Sequence, residues 1–82
     1  MEIVEEVAFG RMDSRVASFL STHSRVANPM RITHQEIAAE LGSSREVISR
    51  LLEDLAEQGI VRASRGEIEV LDLEGMRSRS VA

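Results

Sequence analysis

Residues 43–50 read Ser-Ser-Arg-Glu-Val-Ile-Ser-Arg, which sets Arg45, Glu46, Ser49 and Arg50 on one face of any helix they form. Those types suit the edges of nucleic-acid bases. An arginine fork donates two hydrogen bonds to guanine O6 and N7, a carboxylate accepts from cytosine N4, and each good bidentate contact discriminates by about 1 to 3 kcal/mol. A bland reading competes with this one. Glu46 and Arg50 are also an i, i+4 ion pair in the favourable order, which supports a helix by only about 0.2 to 0.5 kcal/mol. The decision rests on what positions the segment.

Two capped helices do so. Thr33-His34-Gln35-Glu36 has the form of a capping box, with the threonine hydroxyl accepting from the Glu36 amide and the Glu36 carboxylate returning to the Thr33 amide. A helix therefore begins at His34, with Ile37, Ala38 and Leu41 on its inner face. Gly42 ends it, and Ser43 or Ser44 caps the next, Ser43 with Glu46 offering a second capping box. In that second helix Val47, Ile48, Leu51, Leu52 and Leu55 form one apolar stripe, and the charged residues are left outside.

Upstream, Ile3, Val4, Val7 and Ala8 have helical spacing, Gly10 to Met12 forms a joint, and Asp13 caps a helix from about Ser14 to Thr22. Ser24 to Pro29 is a loop, since Pro29 disfavours helix at Asn28, and Met30 to Ile32 is a short extended piece. Downstream, Gly59 closes the second helix. Ile60 to Ala63, the turn Ser64-Arg65-Gly66 and the alternating Glu67 to Leu71 then make a hairpin. Asp72 caps a short helix over Leu73 to Met76, beyond which the chain frays.

Composition narrows the class. The chain has 82 residues, 43% hydrophobic, with two phenylalanines, no tryptophan and no tyrosine, so its core is aliphatic and helices are favoured over a sandwich or barrel. No cysteine is present, which excludes disulfides and thiolate metal sites. His23 and His34 lack an ordered partner set and read as surface residues, so no metal or cofactor site is expected in this segment. Neither is catalysis, for want of a nucleophile with a base and an orienting group. No apolar run reaches membrane-span length and the start lacks a basic signal region; a cytoplasmic protein with no membrane partner is expected. The formal net charge is −4 and all ten basic residues are arginines. Bulk charge therefore opposes nucleic-acid binding, and any such binding must be local.

Helix, short strand, helix, tight turn, helix and hairpin is the order of a winged helix-turn-helix, a mainly α fold with a small β hairpin. Such motifs lay the second helix of the turn in the major groove. The run "ITHQEIAAELGSSREVISRLLEDLAEQGIV" resembles the C-terminal DNA-binding domain of the Crp/Fnr superfamily of bacterial transcription regulators, over roughly Phe9 to Asp72. The resemblance implies a recognition helix at about 44–56 that reads a half-site with a T-G-A core. Arg45, Glu46 and Arg50 match the Arg-Glu-x-x-x-Arg pattern, and Ser49 matches the Glu-x-x-Ser-Arg version of Fnr-type members, so the half-site stays open between the two. Thr33, Gln35 and Ser44 fall where the family contacts phosphates, and Arg62 and Arg65 on the hairpin reach the adjacent backbone.

The resemblance also implies double-stranded DNA as partner, a homodimer as the binding unit, RNA polymerase as a further partner, and a sensor domain in the full-length protein that binds a cyclic nucleotide or other effector. Residues 1–12 would be the end of the dimerisation helix and 13–82 the winged-helix domain, the chain being a fragment of a longer regulator. Ser24 to Pro29 is shorter than the loop some activators use against RNA polymerase. The alternative is a winged helix that binds protein rather than DNA, through the stripe that includes Ile3 and Val7.

Overall fold

The computed structural model describes the backbone of residues 3–80 and the side chains of residues 12–79. Six elements follow in the order α1 (Ile3–Ser24), α2 (His34–Leu41), α3 (Arg45–Glu57), β1 (Val61–Ser64), β2 (Glu67–Val70) and α4 (Leu73–Ser80). This is the expected winged helix-turn-helix.

The local chemistry of the turn is as the sequence dictates. Thr33 Oγ1 accepts from the Glu36 amide at 3.1 Å and Glu36 Oε1 accepts from the Thr33 amide at 2.8 Å. Gly42 ends α2 at φ 68°, a left-handed conformation that side chains with a Cβ resist, and its amide and that of Ser43 both donate to the Ala38 carbonyl. The cap of α3 is Ser44, whose hydroxyl accepts from the Val47 amide at 3.2 Å, so the alternative box between Ser43 and Glu46 does not form.

The core joins every element. Val16, Ala17 and Leu20 of α1 meet Ile37 and Ala38 of α2, Ile48, Leu51, Leu52 and Leu55 of α3, and Val61, Ile68, Val70 and Met76 beyond, all buried. β1 and β2 pair antiparallel with Val61 opposite Val70 and Ser64 opposite Glu67, leaving Arg65-Gly66 as a two-residue turn with Gly66 at φ 71°. The extended piece after Pro29 is a third edge of this sheet: Met30 and Ile68 exchange amide-to-carbonyl hydrogen bonds of 2.8 and 2.9 Å, and the Ile32 amide donates to Gly66. Asn28 fastens the loop before it, its side-chain amide donating to the Val70 carbonyl at 3.0 Å while its oxygen accepts from the Val70 amide at 2.9 Å.

Three expectations need correction. First, α1 does not break at Gly10 to Met12, so the boundary expected at residues 12 and 13 falls inside one helix. One glycine in a helix costs about 1 kcal/mol relative to alanine, too little to interrupt a helix anchored by three buried residues. Asp13 is accordingly not a cap; its carboxylate lies 3.8 Å from Arg79. Second, the last helix does not stop at Met76 but continues to Ser80. Asp72 caps α4 through the Gly75 amide, Met76 is fully buried, and Arg79 lies between Asp13 of α1 and Asp54 of α3, at 3.8 and 4.0 Å. Third, the strands are Val61–Ser64 and Glu67–Val70, because the Ile60 carbonyl leaves the ladder to accept from the Leu71 and Asp72 amides. The apolar set Ile3, Val4, Val7 and Ala8 lies outside the described side chains.

Candidate nucleic-acid interface

α3 is fixed from within. Four of its thirteen residues are buried, and Ala38, 1% exposed, is small enough to let α2 cross close above Ile48. The opposite face carries Arg45, Glu46, Arg50 and Glu53, all exposed, which with the half-buried Ser49 line a shallow trough. No ion pair joins Glu46 to Arg50, so the intrahelical pairing considered above is not what occupies these side chains.

A second depression, of about 480 Å³, adjoins the trough through Arg45. It lies between the start of α2, with Thr33, His34 and Gln35, and the hairpin tip from Ala63 to Gly66. Thr33, Gln35, Arg45 and Arg65 are thus brought together, beside the amide ends of α2 and α3, whose partial positive charge favours an anion. Neither Arg45, Arg50 nor Arg65 has a carboxylate partner among the described residues.

The remaining candidates divide. Ser44 accepts from Val47, which leaves its hydroxyl hydrogen to donate outward. Thr33 uses its hydroxyl twice, accepting from the Glu36 amide and donating to Glu36 Oε1 at 3.2 Å, so a phosphate there would have to displace the carboxylate. Arg62 is not part of the groove. It pairs across the hairpin with Glu69 at 3.1 Å, on a flank shared with Pro29 and Glu67.

His34 is the residue sequence reasoning missed. Its Nδ1 lies 2.8 Å from Ser49 Oγ, across the turn from α2 to α3. The sequence carries no signal for this contact, which depends on how α2 and α3 cross. His23, by contrast, is engaged locally, with its ring stacked on Phe19 at 4.0 Å and its Nδ1 2.9 Å from the Phe19 carbonyl oxygen. Among the described residues, no group of three histidine, cysteine or acidic side chains is placed to hold a metal ion, and no helix is long and apolar enough to cross a membrane.

The family profile of the Crp-like helix-turn-helix domain matches residues 14–79. The chain is 32% identical over 82 residues to the transcriptional regulator SdrP of Thermus thermophilus, an alignment covering 90% of this chain and 41% of the relative. Among solved structures it superposes on a Crp/Fnr-family transcriptional regulator from Eubacterium rectale with a TM-score of 0.84 and 38% identity, covering 100% of this chain and 39% of the other. It also superposes on the catabolite activator protein of Thermus thermophilus with a TM-score of 0.83 and 34% identity, covering 95% and 38%. The chain therefore spans about two fifths of the length of these regulators.

Proposed function

Because the chain belongs to the family of Crp-like helix-turn-helix domains, we propose that it is the sequence-specific DNA-binding domain of a transcription regulator, with α3 reading the major groove of a half-site with a T-G-A core. One observation carries the reading. α3 buries one face completely and presents Arg45, Glu46 and Arg50 on the other, with no carboxylate neutralising either arginine. A helix about 10 to 12 Å across fits a major groove about 12 Å wide. In that pose Arg45 and Arg50 donate to guanine edges and Glu46 accepts from a cytosine amino group. Ser44, Gln35 and Arg65 hold the phosphates, joined by Thr33 only where it releases Glu36.

The net charge of −4 does not overturn this. The radius of gyration is 12.0 Å, and exposed charges are largely screened beyond about 8 to 10 Å at physiological salt. Acids on the far side therefore oppose the DNA weakly, while arginines touching phosphates act at contact. A lone domain binds weakly. Two copies over half-sites about 34 Å apart restore affinity, with residues 1–12 as the end of a dimerisation helix, RNA polymerase as a further partner, and effector binding in a separate sensor domain. A second reading, a protein-binding winged helix, draws on the acidic total and on Val26, Leu71 and Leu73, which are exposed.

The test is a titration of a palindromic duplex with two T-G-A-core half-sites against a scrambled duplex, at low and moderate salt. Arg45→Ala/Arg50→Ala is expected to keep the fold and lose the preference. Equal binding of the core duplex by parent and variant defeats the reading, and salt-independent failure to bind either duplex favours the protein-binding alternative.

A further inference from the structure

The hydrogen bond between His34 and Ser49 joins the two parts of the surface: His34 lines the groove beside Arg45 and Arg65, and Ser49 lines the trough with Glu46 and Arg50. Both side chains are half-buried, which holds the pair in one geometry. A serine hydroxyl has a single hydrogen and two lone pairs, so whatever it does toward His34 fixes what it can offer a base. A neutral imidazole donates from one nitrogen and accepts at the other. With Nδ1 at Ser49, Nε2 is the nitrogen left for the groove, where the amide ends of two helices and two arginines favour an anion. An Nε2–H donor toward that anion leaves Nδ1 as an acceptor. Ser49 must then donate to Nδ1, and its oxygen keeps only lone pairs.

We propose that His34 is a positioning residue that sets the hydrogen-bond polarity of Ser49, so that Ser49 reads a base amino group, adenine N6 or cytosine N4, and rejects acceptor edges. The inference rests on the DNA-reading function above. It runs as one directed chain: Nε2–H to a backbone phosphate oxygen, Ser49 Oγ–H to Nδ1, base N–H to Ser49 Oγ. No bond beyond hydrogen bonds forms or breaks. The consequence is that a residue with no base contact of its own decides the base preferred at one position, and couples that preference to seating of the phosphate.

The experiment measures parent, Ser49→Ala, His34→Ala and His34→Asn on the palindromic duplex with each base pair of the half-site exchanged in turn. In the parent one position should favour the pair that offers an amino group to Ser49 by roughly threefold to tenfold, the range of a single neutral hydrogen bond. Ser49→Ala and His34→Ala should both flatten that position and leave the Arg45 and Arg50 positions unchanged. His34→Asn, whose side-chain oxygen replaces Nδ1 as acceptor, should restore the preference, which loss of packing alone would not allow. A His34→Ala profile equal to the parent's, while Ser49→Ala is flat, overturns the role of His34; so does a parent preference for acceptor edges at that position. Either result leaves DNA reading standing, provided Arg45→Ala/Arg50→Ala still abolishes core selectivity. A parent that does not distinguish the core duplex from the scrambled one removes both.

Discussion

Helix α3 and the hairpin both carry arginines, yet they hold them in opposite ways. Arg45 and Arg50 stand on a helix with four buried residues and a serine cap, and neither has a carboxylate partner among the described residues. Arg62 stands on a strand with a single buried residue, Val61, and is tied to Glu69 on the neighbouring strand. Where the backbone is anchored by the core, charge is left over for an outside partner. Where the backbone is thinly anchored, charge helps hold the element together. Only Arg65, at the tip and out of the ladder, escapes this on the hairpin.

The largest test of that contrast removes the anchor. Ile48→Ala should lower the unfolding free energy by about 2 to 5 kcal/mol, read from denaturant midpoints at constant slope, whereas Ala63→Ser, at an exposed position of β1, should stay within about 0.5 kcal/mol. Comparable losses would mean that the hairpin is anchored as firmly as α3. A smaller effect is expected at the entry to the helix-turn-helix: Thr33→Ala removes half of the capping box and should cost about 1 kcal/mol, with hydrogen exchange rising first at Glu36, whose amide loses its acceptor. The smallest sharpens the wing. Glu69→Gln should cost roughly 0.2 to 1 kcal/mol, as for other exposed ion pairs, while freeing Arg62 and steepening the salt dependence of binding to a scrambled duplex. If Glu69→Gln leaves that slope unchanged, Arg62 points away from the phosphates whether paired or not.

How much of this was legible in the sequence follows the range of the forces involved. The caps at Thr33 and Asp72, the left-handed Gly42 and the alternation of β2 are set within four residues of chain and appear as the sequence dictates, while of the two serines it left open Ser44 is the cap. The continuity of α1 was not legible. Gly10 and Asp13 signal a break locally, and the opposing contacts come from α4, some sixty residues away in sequence. The length of α4 was hidden for the same reason, since Arg79 finds its acids on α1 and α3. At the candidate interface, Arg45, Glu46 and Arg50 could be placed by helical spacing alone. The engagement of Arg62 with Glu69 depends on hairpin register, and that of His34 with Ser49 on the angle between two helices, neither of which a one-dimensional pattern contains.

Asn28 bears on how the protein ages. Its side chain acts as a substitute strand residue, giving to and taking from the Val70 backbone at once, so conversion to aspartate would set a carboxylate oxygen against a carbonyl where a donor now stands. That conversion ordinarily begins when the nitrogen of the following residue loses its hydrogen and attacks the side-chain carbonyl to close a five-membered ring. The following residue is Pro29, whose nitrogen carries no hydrogen. The usual route of chemical decay is closed at the one asparagine that fastens the loop to the sheet.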